Sequence, residues 1–238
     1  MNETAALYLL PCTLGDAPLD SVIPAAVLAR IRSLRIFAVE EVRTARRFLR
    51  QVDRAFDIDG ATFFEIGKHA DASQFSAYLE PLRKGESMGV LSEAGVPCVA
   101  DPGARLVALA QAEGLRVVPL VGPSSLLMCV MASGFNGQRF SFDGYLPIDP
   151  AERQKRLKHL EARSAADDCT MLFIETPFRN RKLFDDVLRA CRPQTRLCIA
   201  AALTTEQEFV RSQTLKKWKS EGFPLDEKVP AVFALYAR

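Results

Sequence analysis

Gly85 to Gly103 reads GESMGVLSEAGVPCVADPG, an order of residue types that predicts a strand, a tight loop and a helix. Met88 to Leu91 is an unbroken apolar run, the pattern of a strand buried on both faces of a parallel sheet. Asp101 and Pro102 then mark a helix start, with Asp101 as the capping residue and Pro102 at the first helical position. In open α/β sheets ligands sit beyond the carboxyl ends of the strands, where this loop falls. Ala94, Gly95 and Ala100 place little side-chain bulk in front of the backbone, so a ligand can approach its N–H and C=O groups. Taken alone, the stretch fits a plain strand-to-helix connection equally well.

A second loop of the same kind follows. Leu115 to Val121 (LRVVPLV) is again strand-like, and Gly122-Pro123-Ser124-Ser125 leads into the apolar helix LLMCVMASG, which ends near Gly134. The free N–H groups of a helix N-terminus favour a carboxylate or a phosphate. Ser124 and Ser125 also read as simple helix caps. Two small-residue loops after successive strands fit a flat, polar ligand lying across both.

Strands near 6–11, 35–39, 62–66, 88–91 and 116–120 alternate with helices near 24–33, 41–52, 71–84 and 102–113. Such alternation predicts a parallel sheet covered on both faces. A helix at 124–133 then leads to strands near 139–144, 169–174, 196–201, 207–211 and 229–236, with helices near 150–163 and 178–190. The late strands show no crossover helices, which predicts a mixed sheet. The expected fold class is therefore α/β with two domains, residues 1–121 around a parallel sheet and 122–238 around a mixed one. No Gly/Ser-rich or Pro-rich linker separates them, and repeats are absent.

The composition narrows the function classes. Thirty-one basic residues against 29 acidic give a net charge of +2, so any nucleic-acid contact should be a local patch. Six scattered cysteines (Cys12, Cys98, Cys129, Cys169, Cys191, Cys198) form no C-x-x-C pair and there are two histidines. They read as reduced core residues, neither a disulfide frame nor a metal site. No leader opens the chain and no apolar run reaches the roughly 18 residues of a membrane span, so the expected location is the cytoplasm. No G-x-G-x-x-G follows the first strand and no G-x-x-x-x-G-K-S/T occurs, which argues against dinucleotide and nucleoside-triphosphate sites.

Six segments in order resemble one family. KGESMGVLSEAGVPCVADPG is similar to the signature Ser-Asp/Glu-Ala-Gly-Thr-Pro, then Ser-Asp-Pro-Gly, of the ribosomal-RNA small-subunit 2′-O-ribose methyltransferase I branch of the tetrapyrrole (corrin/porphyrin) methylase superfamily. LYLLPCTLGD at Leu7 to Asp16 resembles the family's first strand and loop, and VEEVRTARR at Val39 to Arg47 its Glu-Asp-Thr-Arg segment. VVPLVGPSS resembles the Gly-Pro-Ser loop, FSFDGYLP (Phe140 to Pro147) the Gly-Phe-Leu-Pro segment, and MLFIETPFRN (Met171 to Asn180) the Glu-Ser-Pro-His-Arg segment. Departures are Val96 and Ala100 for the usual Thr and Ser, Val42 for the Thr before Arg43, and Phe178 for His. AALTTEQEFV at Ala201 to Val210 also lacks the family's charged Arg-Glu-Leu-Thr-Lys run.

The resemblance implies a methyltransferase that binds S-adenosylmethionine folded between its two domains and acts as a homodimer. It implies cofactor contacts at Pro11, Ala94, Gly95, Val96, Val99, Ala100, Ser124 and Ser125, and from the second domain at Thr176, Ala202 and Pro230. Apolar residues near the domain junction, Phe135, Phe142 and Tyr145, fit either a dimer contact or core. The implied acceptor is a ribose 2′-hydroxyl of ribosomal RNA in the small subunit. A tetrapyrrole or other small molecule, and a non-catalytic binding module, are the alternatives.

Methyl transfer from a sulfonium demands alignment, and a hydroxyl acceptor must lose its proton. Glu40, Glu41 and Arg43 follow the second strand at its carboxyl edge and are the catalytic candidates; they read equally as a solvated first helical turn. Arg43, Arg46, Arg47 and Arg50, spaced i, i+3, i+4, i+7, offer phosphate contacts or a solvated face. Lys68 and His69 are further candidates. Glu175 and Arg179 read as a helix cap and an exposed i,i+4 ion pair.

Overall fold

A computed structural model describes residues 4–67, 70–226 and 228–238. The chain divides into two compact units, Met1–Ser124 and Ser125–Arg238.

The first unit alternates strand and helix: β1 (Leu7–Leu10), α1 (Leu19–Val22), α2 (Ala25–Ser33), β2 (Ile36–Val39), α3 (Val42–Val52), β3 (Thr62–Glu65), α4 (Phe75–Tyr78), α5 (Glu80–Arg83), β4 (Met88–Leu91), α6 (Gly103–Ala112) and β5 (Val117–Pro119). Its sheet has the order β3-β2-β4-β1-β5, and every pair is parallel. Two hydrophobic clusters cover its faces. Tyr8, Leu10, Phe37, Val39 and Leu91 join Leu28, Ile31, Phe48 and Leu49 of α2 and α3. Leu7, Ala38, Met88 and Val90 join Phe75, Leu82 and Leu106 of α4, α5 and α6. Successive residues of one strand thus enter opposite clusters, as the two-residue period of a strand requires. The β1 and β4 connections leave on opposite faces, so a crevice opens at their carboxyl ends.

The segment expected as one helix over 71–84 is a 3-10 turn (Ala72–Gln74) followed by α4 and α5. Pro81 explains the break, because it removes an N–H from the helical ladder and crowds the turn before it. The start of α6 also lies one residue later than expected. Pro102 is the cap position, while the Asp101 carboxylate accepts from the N–H of Gly103 at 2.8 Å and of Cys98 at 3.3 Å.

The second unit comprises α7 (Ser125–Ser133), β6 (Phe140–Tyr145), α8 (Pro150–Asp167), β7 (Thr170–Ile174), α9 (Asn180–Ala190), β8 (Arg196–Ala201), β9 (Phe209–Thr214), α10 (Leu215–Glu221) and β10 (Ala231–Tyr236). Its sheet is mixed, with the order β6-β7-β10-β8-β9; only β6 and β7 run parallel, the other pairs antiparallel. Leu157, Leu183, Phe184 and Trp218 from α8, α9 and α10 pack with Phe173, Ile199 and Phe233 on one face. Cys198 points the other way from Ile199, and its thiol meets that of Cys129 on α7. The helix α10 was not expected between the last strands; Thr214 caps it through the Lys217 N–H, and Leu215 and Trp218 are its buried residues.

Gly89 of β4 leaves little room for a side chain. A Cβ there would lie 2.4 Å from Leu10 Cδ1 and 3.2 Å from Leu34 Cδ1, both ends of movable side chains. Gly89→Val is expected to lose about 1–3 kcal/mol by overpacking, read as a lower urea midpoint with an unchanged slope. Wild-type stability in that variant would contradict the packing described.

Candidate functional site

The loops after β1, β4 and β5 meet at the carboxyl edge of the first unit's sheet. Backbone pairing joins the first two: Cys12 N donates to Gly95 O at 2.8 Å and Gly95 N donates to Thr13 O at 3.2 Å. Gly95 has φ +69° and a Cβ on it would lie 2.9 Å from Leu14 Cδ2 and 3.1 Å from Pro123 O, so both its conformation and its surroundings exclude a side chain. Gly122 closes the third side, since its Cβ would stand 2.0 Å from Pro11 Cβ. Cys98 and Ala100 also have positive φ, 68° and 59°. Two non-glycine residues in the left-handed region within one short loop are strained conformations that the surrounding structure must enforce. Pro11 and Gly95 are buried, Ala94 and Ala100 exposed and Val96 half-buried. Val99, 48% exposed, and Val121, 72% exposed, add apolar surface to the same loops.

Carboxylates gather beside this edge. The register pairs Val39 of β2 with Leu91 of β4, which sets Glu40 next to Ser92 and Glu93. Glu40 is half-buried, and its pKa is raised by burial and by Asp101 and Glu93. Burial likewise raises Glu93, with Glu41 and Asp101 adding to it while the neighbouring Thr44 hydroxyl and the charge of Arg47 oppose. Asp101 is raised by burial, against its bonds from Gly103 and Cys98. Burial, with Glu93 and Asp101 nearby, pushes the Cys12 thiol up to about 12. Carboxylates raised in this way are stronger proton acceptors than ordinary surface ones.

Glu41 does something different. It caps α3, accepting from Arg43 N at 2.9 Å and from Thr44 N at 2.8 Å and Thr44 Oγ1 at 2.5 Å; the Thr44 bonds hold its pKa below the usual range. Arg43 is exposed on the first turn of α3. Lys68 and His69 lie outside the described residues. Glu93 and Asp101 were missed as acids because their proximity to Glu40 follows from strand order, which the chain sequence does not display.

In the second unit, Thr176, Ala202 and Pro230 share one end of the sheet, since β7 and β8 finish there and β10 begins. Ala202, at φ +47°, donates its N–H to Pro230 O at 3.1 Å. Asn180 Nδ2 donates to Val229 O at 2.9 Å, tying the segment after Thr176 to the same corner. Glu175 is buried and accepts from Thr176 N at 2.7 Å and Arg179 Nη2 at 2.6 Å. This pair stiffens the turn Pro177–Arg179 from within and is no exposed ion pair. Ser125 opens α7, and Ser124 is half-buried just before it.

No protein-family model matches the chain. Among curated proteins it is similar to the ribosomal RNA small subunit methyltransferase I of Mesorhizobium japonicum, with 32% identity over 211 residues, 89% of this chain and 68% of the relative. The enzyme of the same name from Xylella fastidiosa is 31% identical over 215 residues, 90% of this chain and 74% of the relative. The chain belongs to the ribosomal RNA small subunit methyltransferase I family. Among solved structures, the methyltransferase CobJ matches with a TM-score of 0.63 at 18% identity, over 98% of this chain and 94% of the other. The uroporphyrin-III C-methyltransferase of Thermus thermophilus, complexed with S-adenosyl homocysteine, matches with a TM-score of 0.56 at 16% identity, over 98% and 97%. These two likenesses show the fold. Membership of the family makes the chain a methyltransferase that uses S-adenosylmethionine.

The acid cluster has a measurable consequence. A carboxyl whose folded pKa is raised opposes folding when ionised, and the penalty disappears as the pH falls below that raised value. Glu40→Gln is therefore expected to raise the unfolding free energy at pH 7.5 by less than about 1 kcal/mol for this partly exposed group, read as a higher urea midpoint. The gain should shrink as the pH is lowered toward the ordinary carboxylate value of 4.5. A lower midpoint at pH 7.5 would contradict the cluster's electrostatics.

Proposed function

We propose that this chain methylates a ribose 2′-hydroxyl of small-subunit ribosomal RNA, with S-adenosylmethionine as donor, in the cytoplasm. The observation that carries the reading is the convergence of the three strand-end loops around Gly95 and Gly122, in a member of this family. The hydroxyl oxygen attacks the methyl carbon in line, the carbon–sulfur bond breaks, and sulfur keeps the electron pair as S-adenosylhomocysteine forms. The hydroxyl proton passes to a carboxylate at the carboxyl edge, for which Glu40, with Glu93 and Asp101 around it, is the assigned acceptor. Glu41 positions α3 by capping it, and Arg43 stands free to meet a phosphate. Pro11, Ala94, Gly95, Val96, Val99, Ala100 and Ser124 are the first unit's candidate cofactor contacts, supported by the loop geometry. Ser125, Thr176, Ala202 and Pro230 are the second unit's candidates. Backbone carbonyls at such positions stabilise a sulfonium without acting as nucleophiles.

Gly122→Ala forces a Cβ against Pro11, 2.0 Å away. Displacing the loop by such an amount is expected to reduce methyl transfer about 100-fold while the thermal unfolding transition stays cooperative. Labelled methyl transfer, run side by side on small ribosomal subunits, total RNA and a porphyrinogen, tests the acceptor. Label in ribosomal RNA is the expected result, and label in the porphyrinogen alone overturns the reading.

The proposed homodimer is supported by exposed apolar residues of the second unit, among them Leu127 and Met131 on α7 and Phe140 and Tyr145 on β6. Sedimentation equilibrium at micromolar concentration is expected to give the mass of two chains; a single-chain mass would contradict it.

A further inference from the structure

A cavity of about 950 Å³ opens on the first unit, bounded by α2 and α3 and reaching the first residues after β1 and β4. Four arginines line it: Arg32 from α2, Arg47 and Arg50 from α3, and Arg54 just beyond. Arg32 donates to Val52 O and Arg50 to Arg54 O. Among the described residues none of the four has a carboxylate within ion-pairing distance, whereas Arg83, Arg153, Arg156, Arg179 and Arg211 elsewhere all do. Unpaired guanidinium groups around a cavity are phosphate ligands in waiting. The lining also carries Asp16, Asp20, Thr13, Ser92 and Glu93, and the charge of Arg47 reaches Glu93. Those carboxylates repel a second phosphate and accept from amino or hydroxyl groups. The matching ligand therefore carries both an anionic group and hydrogen-bond donors. A macrocycle with carboxylates around its whole rim meets Asp16 and Asp20 and is disfavoured.

We propose that this cavity receives one nucleotide lifted out of its RNA strand, its phosphates on Arg47, Arg50 and Arg54 and its ribose toward Glu93. The inference rests on the RNA reading above and adds where and in what form the acceptor enters. The volume lies in the upper range of single-ligand pockets, roughly 300–1,000 Å³, room for one nucleotide and not for a duplex. RNA bases are read where they can be splayed from a loop or a single strand, and enzymes that modify nucleotides commonly extrude them. Leu28 and Phe48 in the lining supply the apolar surface against which an unstacked base rests.

The probe is a single-stranded RNA carrying 2-aminopurine, compared with the same strand annealed to its complement, under increasing salt. The wild-type chain is expected to bind the single strand more tightly than the duplex. The double variant Arg47→Ala/Arg50→Ala should bind the single strand at least about tenfold more weakly, with a salt slope shallower by about 1.4, the value for two lost phosphate contacts. Cofactor binding by calorimetry and the unfolding transition should match wild type, which shows that the variant folds. Arg181→Ala, on an exposed arginine of α9, is the control and should leave RNA binding unchanged. Equal binding of strand and duplex, or a double variant with wild-type affinity and slope, overturns the proposal. If the binding results hold but no methyl reaches any RNA, the proposed activity fails and the pocket stands. If the double variant methylates RNA with unchanged kcat/KM, the pocket fails and the activity stands.

Discussion

The two hydrogen bonds between Gly95 and the loop after β1, Cys12 N to Gly95 O and Gly95 N to Thr13 O, are the constraint on which the first unit's functional edge depends. They tie the loops of β1 and β4, strands adjacent in the sheet whose connections leave on opposite faces. Loops at such a crevice would otherwise diverge with their helices. Pairing them requires a residue that tolerates φ +69° with no Cβ, which only glycine does without strain. Gly122 against Pro11 brings in the third loop by the same absence of a side chain. Once these backbones are fixed, the neighbouring positive φ values at Cys98 and Ala100 are imposed by the closure of a short loop whose two ends are both anchored.

A second consequence of that convergence is electrostatic. Drawing the loop of β4 toward β1 and β2 brings Glu93 and Asp101 near Glu40; burial raises all three, and neighbouring carboxylates add to the rise at Glu40 and Glu93. Such crowding costs stability at neutral pH and is tolerated where chemistry uses it. Arg32, Arg47 and Arg50 of α2 and α3 line a cavity that reaches Glu93 in the same unit. In the second unit, by contrast, Arg153 is buried with Asp186, and the half-buried Arg179 pairs with the buried Glu175.

Much of this was legible in the sequence. The apolar run Met88–Leu91 gave its strand to the residue, because a strand buried on both faces admits no polar positions. The mixed character of the second sheet followed from the scarcity of crossover helices, although α10, at seven residues, was too short to show a helical period. The single helix expected over 71–84 took no account of Pro81, which stands in the first turn of α5. The site was harder to read. Glu41, Glu40 and Arg43 stand together in the chain, yet the structure gives Glu41 to the α3 cap. Asp101 was legible as a cap but not as Glu40's neighbour. Glu93 had no local signal, since its relation to Glu40 comes from β2 and β4 lying side by side although β3 separates them in the chain.

The central claim is that a carboxylate of this edge and the paired loops direct a methyl group onto a ribose oxygen. Alkaline hydrolysis of RNA methylated by the purified chain tests it most directly, because alkali cleaves through a free 2′-hydroxyl and a methyl on that oxygen blocks the cut. The account predicts that the label is recovered in an alkali-resistant dinucleotide. Label released in mononucleotides would place the methyl on a base and contradict it.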